Sequence, residues 1–264
     1  MRTLKLTLAY DGSAYAGWQV QGGLRTLQGA LEVTLAKVTG QPTRVAASGR
    51  TDAGVHALAQ VVSFRTESSM ACDVMRQALN AELPRDMVVH AVSQAPYGFH
   101  ARRDAVRKRY RYVIYDGPLA NVFARHHAWL HRGTLDLAAM QRAAAVLVGK
   151  HDFASFETSG SRRQTTVRTV FELELLRDPD EPNRLTLEIE ADGFLYNMVR
   201  TLVGTLALVG RGHRTEDYVA KAMRALDRQA AGPTAPPHGL FLLRVDYGGR
   251  DLVDIAEPSI AIGS

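Results

Sequence analysis

Cysteine is almost absent from this chain of 264 residues. The single thiol, Cys72, cannot make an internal disulfide, and one thiol cannot build a cysteine-based zinc site. No run of about 18 charge-free apolar residues occurs, which argues against a membrane span. The first apolar stretch, MRTLKLTLAYDG, is interrupted by Lys5 and Asp11 and does not read as a secretory signal. Together these absences predict a reducing, cytoplasmic setting. Neither sign of charge dominates: 32 Lys+Arg against 27 Asp+Glu leave +5, which permits a nucleic-acid partner without requiring one. P-loop, GxGxxG and GxSxG patterns are missing, so nucleotide-cofactor and serine-hydrolase chemistries lack support. The composition that remains, 46% hydrophobic and 22% charged, is that of an ordinary globular protein, and the length predicts two domains.

The order of elements supports the division. Leu4, Leu6, Leu8 and Tyr10 alternate with polar or small residues as in a half-buried strand. Thr26 opens a helix carrying Leu27, Leu31, Leu35 and Val38 and stopped by Gly40. A short strand at 43–47, a polar loop SGRTDAGVHA at 48–57, a strand near 58–65, a helix at 70–80 and a strand at 87–92 follow. The sum is β-α-β-β-α-β, the ferredoxin-like order. The second half repeats it. Val106 to Tyr115 reads as a strand and 135–148 as a helix; Phe171 to Leu175 and Leu185 to Ile189 alternate as strands with one wet face. Asp192-Gly193 is expected to cap a helix over 194–209, a second helix covers about 215–228, and GLFLLRVDY closes as a strand. The prediction is an α+β protein of two similar domains, 1–105 and 106–248, with a loosely held tail at 249–264.

Three features carry chemistry. RRDAVRKRYR at 102–111 holds six basic residues; in extended geometry Arg107, Arg109 and Arg111 share one face, and Lys108, Tyr110 and Tyr112 the other. Guanidiniums suit phosphates and tyrosine rings suit bases, although a charged edge strand protected from aggregation reads the same way. In SGRTDAGVHA, Arg50 and Asp52 are two apart, so an extended stretch points both side chains to one side. An Arg there would keep the carboxylate ionised and oriented, as a carboxylate nucleophile needs; a turn holding a surface ion pair is the plainer alternative. Asp52 is the only acid in its loop, so the paired carboxylates of a glycosidase are not visible. Arg200 is the only charge on the apolar stretch 194–209 and must either reach water or meet an anionic partner. His127 and His131 have i, i+4 spacing, but no glutamate between them completes a metalloprotease pattern.

GRTDAGVHA, with Asp52 at its centre, resembles the catalytic motif of the TruA-type tRNA pseudouridine synthases. YDGSAYAGWQ (10–19), FHARRDA (99–105), KRYRYVIY (108–115), NMVR (197–200) and HGLFLLRVDY (238–247) stand in that family's order, so the resemblance runs to about residue 247. Ser48 stands where alanine is more usual. The resemblance implies two ferredoxin-like domains with their sheets joined around a basic cleft, and a homodimer that binds tRNA. It also implies isomerisation of uridine to pseudouridine at positions 38, 39 and 40 of the anticodon arm, without cofactor or metal. Asp52 would be the catalytic aspartate, Tyr110 the tyrosine against the target base, and Arg50 and Arg200 the charge partners. Two other classes compete: a non-catalytic RNA-binding protein using the same basic surface, and a metal-dependent nuclease using the histidines of 126–131.

Overall fold

The computed structural model describes residues 1–119, 121–158 and 165–249. In the first part of the chain β1 (Arg2–Tyr10), α1 (Leu27–Thr39), β2 (Ala46–Ala47), β3 (His56–Thr66), α2 (Cys72–Glu82) and β4 (Met87–Ala95) follow one another. The rest contributes β5 (Arg107–Gly117), β6 (Trp129–Arg132), α3 (Leu137–Ala144), β7 (Gly149–Asp152), β8 (Val167–Arg177), β9 (Arg184–Ala191), α4 (Met198–Gly210), α5 (Tyr218–Ala225) and β10 (Leu240–Asp246). The tail expected beyond Gly249 lies outside the described residues.

All ten strands form one mixed sheet, ordered β4-β1-β3-β10-β5-β9-β8-β7, with β2 added to β3 and β6 to β5. The seam is the parallel pairing of β10 with β3, Phe241 beside His56 and Leu242 beside Ala57. The last strand of the chain therefore closes one group of strands and attaches it to the other. Leu4, Leu6 and Leu8 on one face of β1 join Leu31 and Leu35 of α1 and Met75 and Leu79 of α2 in a core that continues through Tyr112, Ile114, Leu187 and Leu202. The period of two sends Val113 and Phe241 to the other face, where they form a small cluster with Ala124 and Ala128.

Helix ends follow local chemistry. Thr26 accepts from the Gly29 amide to cap α1, and Gly40, at φ 73°, ends it. The helix expected over 194–209 starts four residues later, because Asn197 takes a left-handed conformation at φ 61°. Asp192 does not cap it: its carboxylate accepts from the Thr169 amide at 3.0 Å, tying the end of β9 to β8. The strands β6 and β7, four residues each, were not expected; HAWLHR and GKHD are too short for alternation to show. Helix 135–148 shortens to α3 with a 3₁₀ turn at Ala145–Leu147.

Candidate active site

Asp52 lies in the loop between β2 and β3, and that loop is held at almost every residue. Ser48 donates its amide to Val61 O at 2.8 Å and its hydroxyl to Gln60 Oε1 at 2.6 Å. Gln60, fully buried, returns Nε2 to the Gly49 carbonyl at 2.9 Å and to the Tyr10 hydroxyl at 3.3 Å. The Tyr10 hydroxyl is 2.8 Å from Thr51 Oγ1, and its burial pushes the phenol up to about 12. Thr51 O accepts from the Trp18 amide at 3.0 Å, and Lys108 Nζ donates to Ser48 O at 2.6 Å.

Two glycines of the YDGSAYAGWQ segment explain why that segment accompanies the loop. A Cβ on Gly12 would sit 2.0 Å from Val55 O, and one on Gly17, at φ +93°, would lie 3.0 Å from Thr51 O. The backbone of the first motif thus packs directly on the backbone of the second, which a side chain at either position would prevent.

The sequence leaves Arg200 either to reach water or to meet an anion, and in the structure it meets Asp52. Arg200 Nη1 lies 3.1 Å from Asp52 Oδ2, with the two side chains 14% and 25% exposed. The guanidinium is fixed twice more: Nε donates to Ala235 O at 2.8 Å, and Nη1 donates to Asn197 Oδ1 at 2.7 Å. Asn197 Nδ2 in turn donates to Thr158 Oγ1 at 3.1 Å. The left-handed turn at Asn197 that delays α4 is therefore the turn that places an acceptor behind Arg200. Burial raises the Asp52 carboxyl above its ordinary value, and Arg200 only partly opposes the rise. An arginine partner was expected to keep Asp52 readily ionised; desolvation outweighs it.

The other candidates fall in different places. Arg50 is exposed and makes no ion pair or hydrogen bond among the described residues. Its partnership with Asp52 does not form: the Asp52 carboxylate turns to Arg200 instead, at the start of a turn closed by the Val55 amide donating to Asp52 O at 3.1 Å. Tyr110 is nearly buried on β5, on the face shared with Lys108 and Tyr112, and meets Phe194 edge-on at 5.0 Å. Tyr112, two residues on, donates to Pro236 O at 2.7 Å, next to the carbonyl that holds Arg200. Sequence reasoning gave no supporting role to Tyr10, Gln60, Tyr112 and Asn197, although Tyr10, Tyr112 and Asn197 stand in the family's motifs, because most of their partners lie far along the chain.

The row Arg107, Arg109 and Arg111 does share one face of β5, but acids occupy it. Antiparallel pairing sets Arg109 beside Glu190 and Arg111 beside Glu188. Arg109 Nε donates to Glu188 at 2.7 Å and Nη1 to Glu172 at 3.0 Å, Arg111 Nε reaches Glu188 at 2.7 Å, and Arg107 reaches Glu190 at 3.2 Å. These three guanidiniums are neutralised within the sheet, so the phosphate-binding reading of that row is corrected. The signal was present, since the Glu172/Glu174 and Glu188/Glu190 alternations are the complement of the arginine alternation. Arg102 and Arg103 remain exposed. His127 does not pair with His131: its Nε2 lies 3.1 Å from Asp11 Oδ2, whereas His131 meets Gly133 O and Arg211.

A carboxylate fixed by an arginine in a backbone-packed loop is the frame within which the likenesses to known proteins fall. A family model described as tRNA pseudouridine synthase matches residues 7–104 and 143–248. The tRNA pseudouridine synthase A of Thermoanaerobacter sp. (strain X514) is 42% identical over 247 residues, covering 94% of this chain and 100% of that protein. Those of Geobacter sulfurreducens and Halalkalibacterium halodurans are 45% and 46% identical, over 94% and 91% of this chain and 100% and 91% of theirs. The chain is an isomerase of nucleotides in RNA. It belongs to the tRNA pseudouridine synthase family, and the resemblance of its motifs to the TruA type holds along the matched length.

Proposed function

We propose that this chain converts uridine to pseudouridine at positions 38, 39 and 40 of the tRNA anticodon arm, with Asp52 as the catalytic group and no cofactor. The observation that carries the reading is the Asp52–Arg200 pair at 3.1 Å, set in a loop with no second carboxylate. Pseudouridylation breaks the bond from N1 to C1′, turns the base, joins C5 to C1′, and moves one proton from C5 to N1. Nothing is added or removed overall, so the reaction itself needs no redox or group-carrying cofactor. A second carboxylate activating water would lose the base to hydrolysis, which makes a lone acid the suitable arrangement. Asp52 either attacks C1′ covalently or removes a sugar proton to give a glycal. Trapping of Asp52 on a 5-fluorouridine substrate, read by mass spectrometry of the active-site peptide, discriminates the two routes.

The remaining residues serve substrate handling. Extruding the uridine costs a few kcal/mol, and a ring that stacks on it returns about 1–3 kcal/mol. Tyr110 is that ring in this reading, Arg200 orients Asp52, and Arg50, exposed in the same loop, meets the RNA. The strand groups β4-β1-β3-β2 and β10-β5-β9-β8 each support a ferredoxin-like unit, giving domains 1–105 and 106–248 with a basic cleft between them. The reading also includes a homodimer acting on tRNA in the cytoplasm. Its test is pseudouridine mapping on tRNA transcripts carrying uridine at 38, 39 or 40. Conversion at those positions and not elsewhere in the anticodon arm is expected; tRNA bound without conversion would favour an RNA-binding role instead.

A further inference from the structure

The face of the sheet away from Asp52 carries a second cluster of reactive side chains. Asp11 directly follows β1, His56 opens β3, and His127 belongs to the segment between β5 and β6. Each offers one ligand atom, and these atoms all lie within 4.8 Å of one another. Asp11 Oδ1 is 3.1 Å from His56 Nδ1, and Asp11 Oδ2 is 3.1 Å from His127 Nε2.

The protonation of His56 makes this more than a hydrogen-bonded trio. The His56 ring is buried and stacked on Phe241 at 4.7 Å, and its Nε2 faces His238 O at 3.2 Å, which calls for an N–H there. In the neutral ring Nδ1 is then a lone pair, and the Gly12 amide, which approaches it at 3.2 Å, treats it as an acceptor. Asp11 Oδ1 lies 3.1 Å from the same nitrogen, so a cation that took the place of the Gly12 amide there would meet both the ring lone pair and the carboxylate. A ligating histidine whose other nitrogen donates to a backbone carbonyl is the usual second layer of a metal site.

Donor chemistry and access agree. Two imidazoles and one carboxylate suit zinc or a related transition metal and not magnesium or calcium, which prefer oxygen. Tetrahedral zinc with bonds of about 2.0–2.1 Å needs donors roughly 3.3 Å apart; here each imidazole lies 3.1 Å from its own oxygen of Asp11 and the three donors lie within 4.8 Å of one another, so the side chains would draw inward by a small shift to hold the ion. A cavity of about 390 Å³ on this face is lined by Asp11, His56, His127, Arg111 and Phe241, leaving an approach for the ion and for a fourth ligand.

We propose that Asp11, His56 and His127 form a three-ligand site for a divalent transition-metal ion, zinc being the best match, on the sheet face opposite Asp52. The ion would fasten the end of β1, the start of β3 and the 121–128 segment together, four residues along the chain from Asp52, without touching the reacting nucleotide.

The test is calorimetric titration of the full chain, stripped with chelator, with zinc chloride alone. Wild type is compared with Asp11→Asn, His127→Ala and the neighbouring His126→Ala, and melting is followed with and without zinc. One zinc per chain at micromolar or tighter Kd is expected in wild type and His126→Ala, with binding at least tenfold weaker in Asp11→Asn and His127→Ala. Zinc should raise Tm in wild type and not in His127→Ala, and magnesium should do neither. His127 lies at the rim of the cluster, so its variant keeps the test informative if Asp11→Asn does not fold. No stoichiometric zinc uptake, or equal uptake by wild type and His127→Ala, overturns the site and leaves Asp11 as a hydrogen-bond bridge between two imidazoles.

Discussion

At the scale of single residues, Asp52 is governed by two opposed effects. Burial raises its carboxyl, Arg200 lowers it, and burial prevails. Chemistry at C1′ or on the sugar needs the ionised carboxylate, so activity is present above the Asp52 value and fades as pH falls through it. Arg200→Gln leaves burial unopposed. The acid limb of the kcat profile should then move to higher pH, and kcat at neutral pH should fall roughly ten- to a hundredfold, the range of one lost charged hydrogen bond. A pH–rate series on both proteins checks this, and an unmoved acid limb would separate Arg200 from Asp52 ionisation. Part of this was readable beforehand: a lone charge on an apolar stretch had to reach water or meet an anion, and the resemblance named Arg200 as a charge partner of Asp52. The residue pattern alone could not choose, because Asp52 and Arg200 are 148 positions apart and only the fold brings them together. The Arg50–Asp52 spacing misled because spacing reports a direction only once the backbone conformation is known, and here the Asp52 carboxylate is taken by Arg200 from a distant helix.

Among the elements, β5 shows how an alternating pattern can be read correctly and interpreted wrongly. Its two faces were assigned as found, with the arginines on one and the tyrosines on the other. What the pattern could not supply was the neighbour. Register against β9 delivers glutamates to the arginine face, where cross-strand opposite charges stabilise the pair and each guanidinium is engaged by a glutamate. Burial of Arg109, at 19% side-chain exposure, makes the contact structural. Arg109→Ala is therefore expected to lower stability by about 1–3 kcal/mol, as for charged hydrogen bonds, while leaving the salt dependence of tRNA binding nearly unchanged. Arg102→Ala and Arg103→Ala should do the reverse, each reducing the slope of log K against log salt by about 1 with little effect on unfolding. Urea denaturation and filter binding across a salt series measure both. Helix α4 gives the complementary case: its apolar run was evident, but the left-handed Asn197 that delays it serves the Arg200 contact and carries no signal in hydropathy.

For the whole molecule, the strand–helix order followed from hydrophobic period and turn residues, apart from the short β6 and β7, since those are local properties. The joining of the strands into one sheet came from the resemblance and not from the residue pattern, because the β3–β10 seam pairs residues 185 positions apart in the chain, His56 with Phe241, through only two registered pairs. That seam matters for function. It sets Pro237 and the Ala235 carbonyl beside the Asp52 loop, so that Arg200 from the second half meets a carboxylate from the first. The charge of +5 acquires a different meaning as well: several guanidiniums of the basic run at 102–111 pair with glutamates on the sheet, while Arg50, Arg102 and Arg103 stay exposed. The central claim is that the lone carboxylate at this junction performs the isomerisation. Tritium release from tRNA labelled at C5 of uridine, compared between wild type and Asp52→Asn, tests it most directly. Steady release by wild type and none above background by folded, tRNA-binding Asp52→Asn is the predicted result; equal release by the two proteins would contradict it.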